Sequence, residues 1–341
     1  MVDFCCKHCG STNLVRFGQA GGVQYWWCKD CKHKFADNDA LPDMKTPLTE
    51  IGETLSMYYR GMSMEDISQH LGQQYNHFPS SSTVYEWICR FTDEAVRKAS
   101  GYKPNVGYVW VADETILNIG GKKVWFWDII DIKTRFLLAS HMSFHRTTQH
   151  AQRLVEKAAE RAGKPPKVII TDKLWAYLDG IELAFGGDTK HVQSRGFSLK
   201  PNTNFIERFH GTLKSRTKVM RGLKTPETAL AILDGWLVHY NFFRPHEALA
   251  EKYGKRTPAG KAGLDFPLKN WLDVVKDSRG SAQYVRIYPH EHIQLGIPSR
   301  YNIRKSKKKR HSAIASRKRK VLLKEVMPTK IIPSLKQIRY R

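Results

Sequence analysis

The order of the apolar patterns in the middle of the chain constrains its fold more than any other feature. Three β-rich runs come first, and Gly120-Gly121 separates the first pair: Tyr108–Ile119, Lys122–Asp131 and Arg135–Met142. Alternating runs divided by such turns predict an antiparallel meander. Helical and strand patterns then alternate, so that the full order is βββαβαβα. This order predicts an α/β domain in which antiparallel strands share one sheet with parallel crossovers.

The later elements of this domain follow from the spacing of their apolar residues. Helical segments repeat apolar residues every three or four positions, whereas the buried strands are short apolar runs. We predict helices over Thr148–Ala162, Thr203–Val219 and Thr225–Tyr240, and strands over Lys167–Thr171 and Lys190–Gln193.

Three acidic residues lie at informative places in this order. Asp113 lies inside the first strand, where aspartate is disfavoured. Asp172 directly follows a buried strand, at the end where open α/β sheets place ligands. Glu207 lies near the start of a helix, and 34 residues separate it from Asp172.

With these acids in this order and spacing, the chain resembles the insertion-sequence transposases of the DDE class, which are relatives of retroviral integrases. Lys214 falls seven residues after Glu207, where that family keeps a Lys or Arg. Two further segments match other motifs of the family: Phe144–Thr147 and Tyr240-Asn-Phe-Phe-Arg-Pro-His246. The resemblance covers residues 47–262. It implies a ribonuclease H-like catalytic core, with a mixed five-stranded sheet and flanking helices, over residues 104–262.

The resemblance also implies a metal site for phosphodiester chemistry. Asp113, Asp172 and Glu207 are expected to bind two Mg²⁺ or Mn²⁺ ions about 3.5–4 Å apart, with Asp113 between them. Without metal, three converging anions should have raised pKa values or leave the site partly disordered. Asn204, His210 and Lys214 share the helix face of Glu207 and are candidate contacts for DNA.

Other residues near the site have alternative interpretations. Adjacent strand residues point to opposite faces, so Glu114 is expected to be structural. Asp128 and Asp131 are expected to be hairpin or turn residues. His210 is as easily a packed residue as a site residue, and Arg244 either binds DNA or holds the last helix in place.

Two Cys-x-x-Cys pairs near the N-terminus predict a zinc ribbon over residues 1–40. Cys6 and Cys9 precede Cys28 and Cys31 with 18 residues between the pairs, a spacing that suits a tetrahedral Zn²⁺ site. Cys5 could replace Cys6 as a ligand. A redox function is disfavoured because neither pair lies in a βαβ pattern.

Residues 46–95 contain three short amphipathic helical patterns. The run 61-GMSMEDISQHL-71 is similar to those of helix-turn-helix domains, so the third helix is a candidate for the major groove. A small helical bundle or dimerisation element is the alternative. The third helix would direct Ser82, Thr83, Tyr85, Glu86 and Arg90 outward, with Cys89 buried as an inert thiol.

The charge of the chain predicts a polyanionic partner. Its formal net charge is +24, and residues 281–341 contain 17 Lys and Arg residues against two acidic residues. Such an excess attracts phosphates but does not by itself distinguish DNA from RNA or an anionic membrane. We expect residues 281–341 to be a flexible basic extension, which either binds DNA or is a solvated tail without a role.

Together these features predict a DNA transposase that binds the terminal inverted repeats of its element and joins them to target DNA. We expect a homo-oligomer, dimeric or higher, because two element ends must be held together. Neither a signal peptide nor a membrane span is apparent, so a cytoplasmic, nucleoid-associated protein is expected. The alternatives are a DNA-binding regulator derived from an immobilised transposase and a nuclease for RNA–DNA hybrids.

Overall fold

The computed structural model describes residues 4–42, 44–194, 204–219, 223, 225–251 and 254–278. The basic extension expected at 281–341 lies outside these residues. No helix in the described part of the chain is both long enough and apolar enough to cross a lipid bilayer.

The N-terminal segment folds around its cysteines. Strands β1 (Leu14–Ala20), β2 (Val23–Cys28) and β3 (Lys34–Ala36) form an antiparallel sheet in that order. The third strand is only three residues long. The buried centre is small and rich in sulfur, formed by Cys6, Cys28 and Phe35 with Leu14, Trp26 and Cys31 packed against them.

Three helices follow, as the sequence predicts: α1 (Leu48–Arg60), α2 (Met64–Tyr75) and α3 (Ser81–Ser100). Ser63 caps α2 by accepting a hydrogen bond from the Asp66 amide, and Ser80 caps α3 in the same way. The third helix runs beyond the expected boundary at residue 95, because its C-terminal half packs on a later helix of the catalytic domain.

A mixed five-stranded sheet forms the centre of the next domain, as predicted. Its antiparallel part is a meander, and the turn at Gly120-Gly121 has φ angles of +58° and +77°, which glycine adopts without strain. The other two strands run parallel to the first strand of the meander. In spatial order the strands are β6 (Leu137–Ser143), β5 (Lys122–Asp131), β4 (Val109–Ile119), β7 (Val168–Thr171) and β8 (Lys190–Gln193).

Helices cover this sheet and connect it to the N-terminal helices. They are α4 (Thr148–Ala162), α5 (Trp175–Phe185), a 3₁₀ turn (Gly186–Asp188), α6 (Asn204–Val219) and α7 (Pro226–Val238), which continues as a π-helical turn (His239–Phe243). The α4 helix packs on α5, α6 lies on β4 and β5, and α7 packs against α3. Asn241 of the π-helical turn bonds both the amide and the carbonyl of Leu137, which fixes this turn to the edge strand β6.

The last described elements return to the N-terminal helices. They are β9 (His246–Glu251), β10 (Gly254–Arg256), α8 (Pro258–Lys261) and α9 (Trp271–Asp277). The α9 helix packs on α1, where the Trp271 ring stacks on Tyr59 with centroids 4.6 Å apart. Residues beyond the expected domain end at 262 therefore contribute to the packing of the helical domain.

Candidate active site and metal centres

Strand register brings Asp113 and Asp172 together. In the parallel pair of β4 and β7, Val111 lies opposite Ile170, and the two aspartates each follow two residues later. Side chains at matching positions of a parallel pair point to the same face. Asp172 also accepts a hydrogen bond from the Leu174 amide at 3.0 Å, a turn that holds its carboxylate just beyond the strand.

A third carboxylate, that of Glu114, joins this pair. Ligand atoms of Asp113, Glu114 and Asp172 all lie within 4.8 Å of one another. The expectation that Glu114 is structural stays a prediction, although its carboxylate lies beside those of the two aspartates. Strand β7 ends at Thr171, so Asp172 lies one residue beyond the strand.

Glu114 has a basic partner that the sequence analysis missed. Its Oε1 accepts a hydrogen bond from Arg146 Nη1 at 3.1 Å, and the Arg146 guanidinium lies 4.1 Å from the centroid of the Trp125 ring. The signal was the segment Phe144–Thr147, which resembles a family motif but suggested no role. The ion pair neutralises one of the three acids within the protein itself.

The electrostatics of the cluster indicate a place for a cation. Burial raises the pKa of Asp113 to about 7; His210 opposes this shift, and the charges of Glu114 and Asp172 add to it. Burial also raises the pKa of Glu114, with a further contribution from Asp172. Of the three predicted metal ligands, Asp113 therefore has the raised carboxyl pKa that was expected, with burial as its largest cause. The all-oxygen donor set fits Mg²⁺ or Mn²⁺, because hard cations prefer carboxylates.

His210 connects the cluster to a second buried acid. Its Nδ1 is 3.6 Å from Asp113 Oδ2, and its Nε2 is 3.1 Å from Asp128 Oδ2. Asp128 lies inside β5, directly across from Asp113, and is fully buried. Its prediction as a hairpin or turn residue is therefore wrong, because the imidazole supplies the partner that such a buried carboxyl needs. Asp131 is a turn residue as predicted and accepts hydrogen bonds from the amide and hydroxyl of Thr134.

Glu207 lies on α6, one helical turn before His210, and is half-buried. Among the described acids, the cluster within 4.8 Å contains Glu114 and not Glu207. On the same helix Asn204 is half-buried and Lys214 is exposed, and Arg244 is half-buried after the π-helical turn. The roles assigned to these four residues stay predictions.

The N-terminal cysteines form a second candidate metal centre. Sγ atoms of Cys6, Cys9, Cys28 and Cys31 lie within 4.8 Å of one another, and two of the pairs are 3.6 Å apart. Four sulfurs placed about 2.3 Å from a tetrahedral zinc ion would be separated by about 3.8 Å, so the set fits that ion. Cys5 is exposed and lies outside the cluster, so Cys6 is the favoured ligand.

The third helix presents the expected face. Ser82 and Glu86 are exposed, and Thr83, Tyr85 and Arg90 are half-buried. The opposite side of α3 is buried and includes Val84, Trp87, Ile88 and Cys89. The amphipathic pattern is confirmed, and the contact of this face with DNA stays a prediction.

Comparison with known proteins identifies the central domain. Residues 107–246 match the model of a family described as a DDE domain, that of the IS240 type of transposase. No curated protein matches the chain.

Solved structures of retroviral integrases are similar at low TM-scores. The catalytic core of HTLV-2 integrase, solved with magnesium in a dimeric form, is 19% identical, with 46% of this chain and 96% of that chain covered and a TM-score of 0.34. The BIV integrase core is 17% identical, with 45% and 91% covered and a TM-score of 0.34. A simian T-cell lymphotropic virus intasome with the PP2A regulatory subunit B56 gamma is 13% identical, with 64% and 77% covered and a TM-score of 0.36.

The assignment of the domain therefore depends on the family match and on the observed strand order. The strand register brings Asp113 and Asp172 together, and both lie within the matched residues. Residues 107–246 of this chain therefore match a DDE domain and have the mixed five-stranded sheet that was expected of a ribonuclease H-like core.

Proposed function

We propose that this protein is the transposase of an insertion sequence, which binds the ends of its element and cuts and joins DNA strands there. The observation that carries the proposal is the adjacency of Asp113 and Asp172, produced by strand register, in a half-buried carboxylate cluster where the pKa of Asp113 is raised. A cluster of this kind stores repulsion that a pair of divalent cations relieves.

Asp113, Asp172 and Glu207 would hold the ions, with Asp128 orienting His210 and His210 facing Asp113. Divalent ions held there would supply the activation of a water or a 3′-hydroxyl and the stabilisation of charge on the leaving oxygen. Glu207 is preferred over Glu114 as the third ligand, because the carboxylate of Glu114 is already paired with Arg146. Its helix would have to move its first turn toward the pair of aspartates.

DNA would be held by several parts of the chain. The exposed Lys214 lies two helical turns from Glu207 on the same face, where it can contact the sugar–phosphate backbone. The outward face of α3, with Ser82, Thr83, Tyr85 and Arg90, would read the element end. The zinc-bound ribbon would add a further contact, and the active species would be at least a dimer, since two ends must be joined.

A strand-transfer assay tests this function. The full-length protein is mixed with labelled duplexes taken from the sequences that flank its gene, with Mg²⁺ or Mn²⁺. We expect nicks that end in 3′-hydroxyl groups and strand-joined products, with no covalent protein–DNA intermediate. Gel-shift binding without any metal-dependent product would favour the alternative, a DNA-binding regulator, and would contradict the proposal.

The identity of the third metal ligand gives a separate prediction. Glu207→Gln should lower the rate of strand cleavage by at least about a thousandfold, since each 1.4 kcal/mol lost from transition-state stabilisation costs tenfold. Glu114→Gln should lower it less than about tenfold, because that change removes an ion-pair partner of Arg146 and no metal bond. Initial rates at saturating Mn²⁺ compare the two variants. A larger loss of rate in Glu114→Gln than in Glu207→Gln would instead make Glu114 the third metal ligand.

A further inference from the structure

A cavity of about 440 Å³ lies between the end of α1, the C-terminal half of α6 and the π-helical turn. It is separate from the carboxylate cluster, because none of the cluster residues lines it. The described residues that line the cavity include three arginines and a histidine and no acidic residue; its polar lining residues are Arg60, Thr212, Ser215, Arg216, His239 and Arg244.

Arg216 is the unusual residue of this cavity. Only 3% of its surface is exposed, and its Nε, Nη1 and Nη2 atoms have no hydrogen-bond partner among the described residues. The guanidinium lies 4.1 Å from the centroid of the Tyr58 ring, which attracts the cation but accepts no conventional hydrogen bond. A buried guanidinium whose donors lack an acceptor among the described residues is costly unless a ligand supplies one.

The charges around Arg216 specify the kind of acceptor. Burial, followed by the positive charges of Arg60 and Arg244, lowers the pKa of His239 to about 3. This histidine is therefore neutral, and the arginines make the electrostatic potential of the cavity positive. Thr212 and Ser215 donate their hydroxyl hydrogens to carbonyls of their own helix. The guanidinium groups are therefore the donors for a ligand, and their planar forks match the oxygens of a phosphate. Arg60 is exposed and Arg244 is half-buried, whereas a ligand reaches the buried nitrogens of Arg216 only when neighbouring side chains shift.

We propose that this cavity binds a backbone phosphate of DNA. The position of the cavity supports this assignment. The cavity lies between the turn that connects α1 to α2 and the helix that carries Glu207. Arg216 follows Glu207 by nine residues, two and a half helical turns, so it lies on the opposite face of α6. The bound phosphate is therefore not the one that is cut. It belongs to the duplex held by the helical domain, and its binding fixes that duplex relative to the catalytic domain.

The proposal has two parts. Binding of a phosphate in this cavity does not depend on the proposed function, whereas the claim that this phosphate belongs to DNA rests on it. The two parts can be tested separately with one variant, Arg216→Met, and a second at the exposed rim of the cavity, Arg60→Gln. Lys276→Gln is the control, since it removes one positive charge from an exposed position on α9.

The first arm measures the melting temperature of the full-length protein against inorganic phosphate. The wild type and Lys276→Gln should be stabilised as phosphate increases, while Arg216→Met should not respond and Arg60→Gln should respond less. In phosphate-free buffer Arg216→Met should melt no lower than the wild type, because an unpaired buried charge is replaced by an apolar side chain. Marked destabilisation of Arg216→Met with no phosphate response in the wild type would overturn the proposal and make Arg216 purely structural.

The second arm measures affinity for duplex DNA as a function of salt. Arg216→Met loses one phosphate contact, so its affinity for DNA should be about tenfold or more below that of the wild type. Its plot of log K against log salt should be less steep than that of the wild type by about 0.9. Arg60→Gln should reduce the slope by a smaller amount, and Lys276→Gln should leave it unchanged. A phosphate response with an unaltered slope would show a site for a free anion and overturn the assignment to DNA. Strand joining by the wild type, measured in parallel, shows separately whether the proposed function holds.

Discussion

Replacing Asp172 with asparagine should lower strand cleavage and strand joining by at least about a thousandfold. The asparagine amide keeps the shape of the side chain, and its oxygen can still accept the hydrogen bond from the Leu174 amide. The change therefore leaves the turn after β7 intact and removes only the negative charge that a metal ion requires. Product formation from labelled duplexes at saturating Mn²⁺ measures the effect.

The control for this prediction is Asp179→Asn, which makes the same chemical change at an exposed position on α5. It should cleave DNA as the wild type does. Gel-shift affinity of the Asp172 variant should stay within about twofold of the wild type, since this residue is assigned to metal and not to DNA. Parallel loss of binding and cleavage would contradict the assignment.

Removing zinc should unfold the N-terminal ribbon and leave the catalytic domain folded. Structural zinc contributes an apparent 10–16 kcal/mol to the folding of comparable small motifs, roughly the whole stability of an ordinary domain. The buried centre of the ribbon consists largely of its own thiols with Phe35, so little apolar packing remains without the ion. We expect a zinc-selective chelator, or Cys28→Ser, to expose the first 40 residues to proteolysis.

Cys5→Ser provides the matched control, because Cys5 is adjacent to a ligand but is exposed and outside the cluster. This variant should retain one zinc ion per chain, as measured by atomic absorption, and should resist proteolysis. Equal zinc content in the Cys28 variant and in the wild type would exclude the four-cysteine site.

Local patterns were enough to place most of the central domain. The predicted bounds of α4 and β5 match the structure, because each is closed by strong local signals: Gly163 ends α4 in a left-handed conformation, and Gly120-Gly121 forms the turn before β5. Strand register then follows from the order of the elements, and it brings Asp113 and Asp172 together. That much of the site was predictable from sequence.

The remaining features depend on contacts between distant parts of the chain. Asp128 resembles a turn residue in sequence, and only the packing of His210, 82 residues away, explains its burial inside β5. The closeness of Glu114 to Asp172 is a contact between distant parts of the chain, which alternation along β4 does not encode. The seven residues of α9 are too few for a clear helical period, and its place is set by Tyr59.

The arginine cavity illustrates the same limit. Arg60, Arg216 and Arg244 come from three separate elements, and nothing in their local sequences distinguishes them from the other basic residues of a strongly basic chain. Only the fold shows that one of them is buried without an acceptor. The functional meaning of a charge therefore depends on its surroundings more than on its place in the sequence.

The most direct test of the account is a crystal structure of the protein bound to duplex DNA and Mn²⁺, with the ions located by anomalous scattering. We predict two ions about 3.5–4 Å apart, bound by oxygens of Asp113, Asp172 and Glu207, while Glu114 keeps its ion pair with Arg146. A site without divalent ions, or one in which Glu207 stays away from the metals and Glu114 takes its place, would contradict the account.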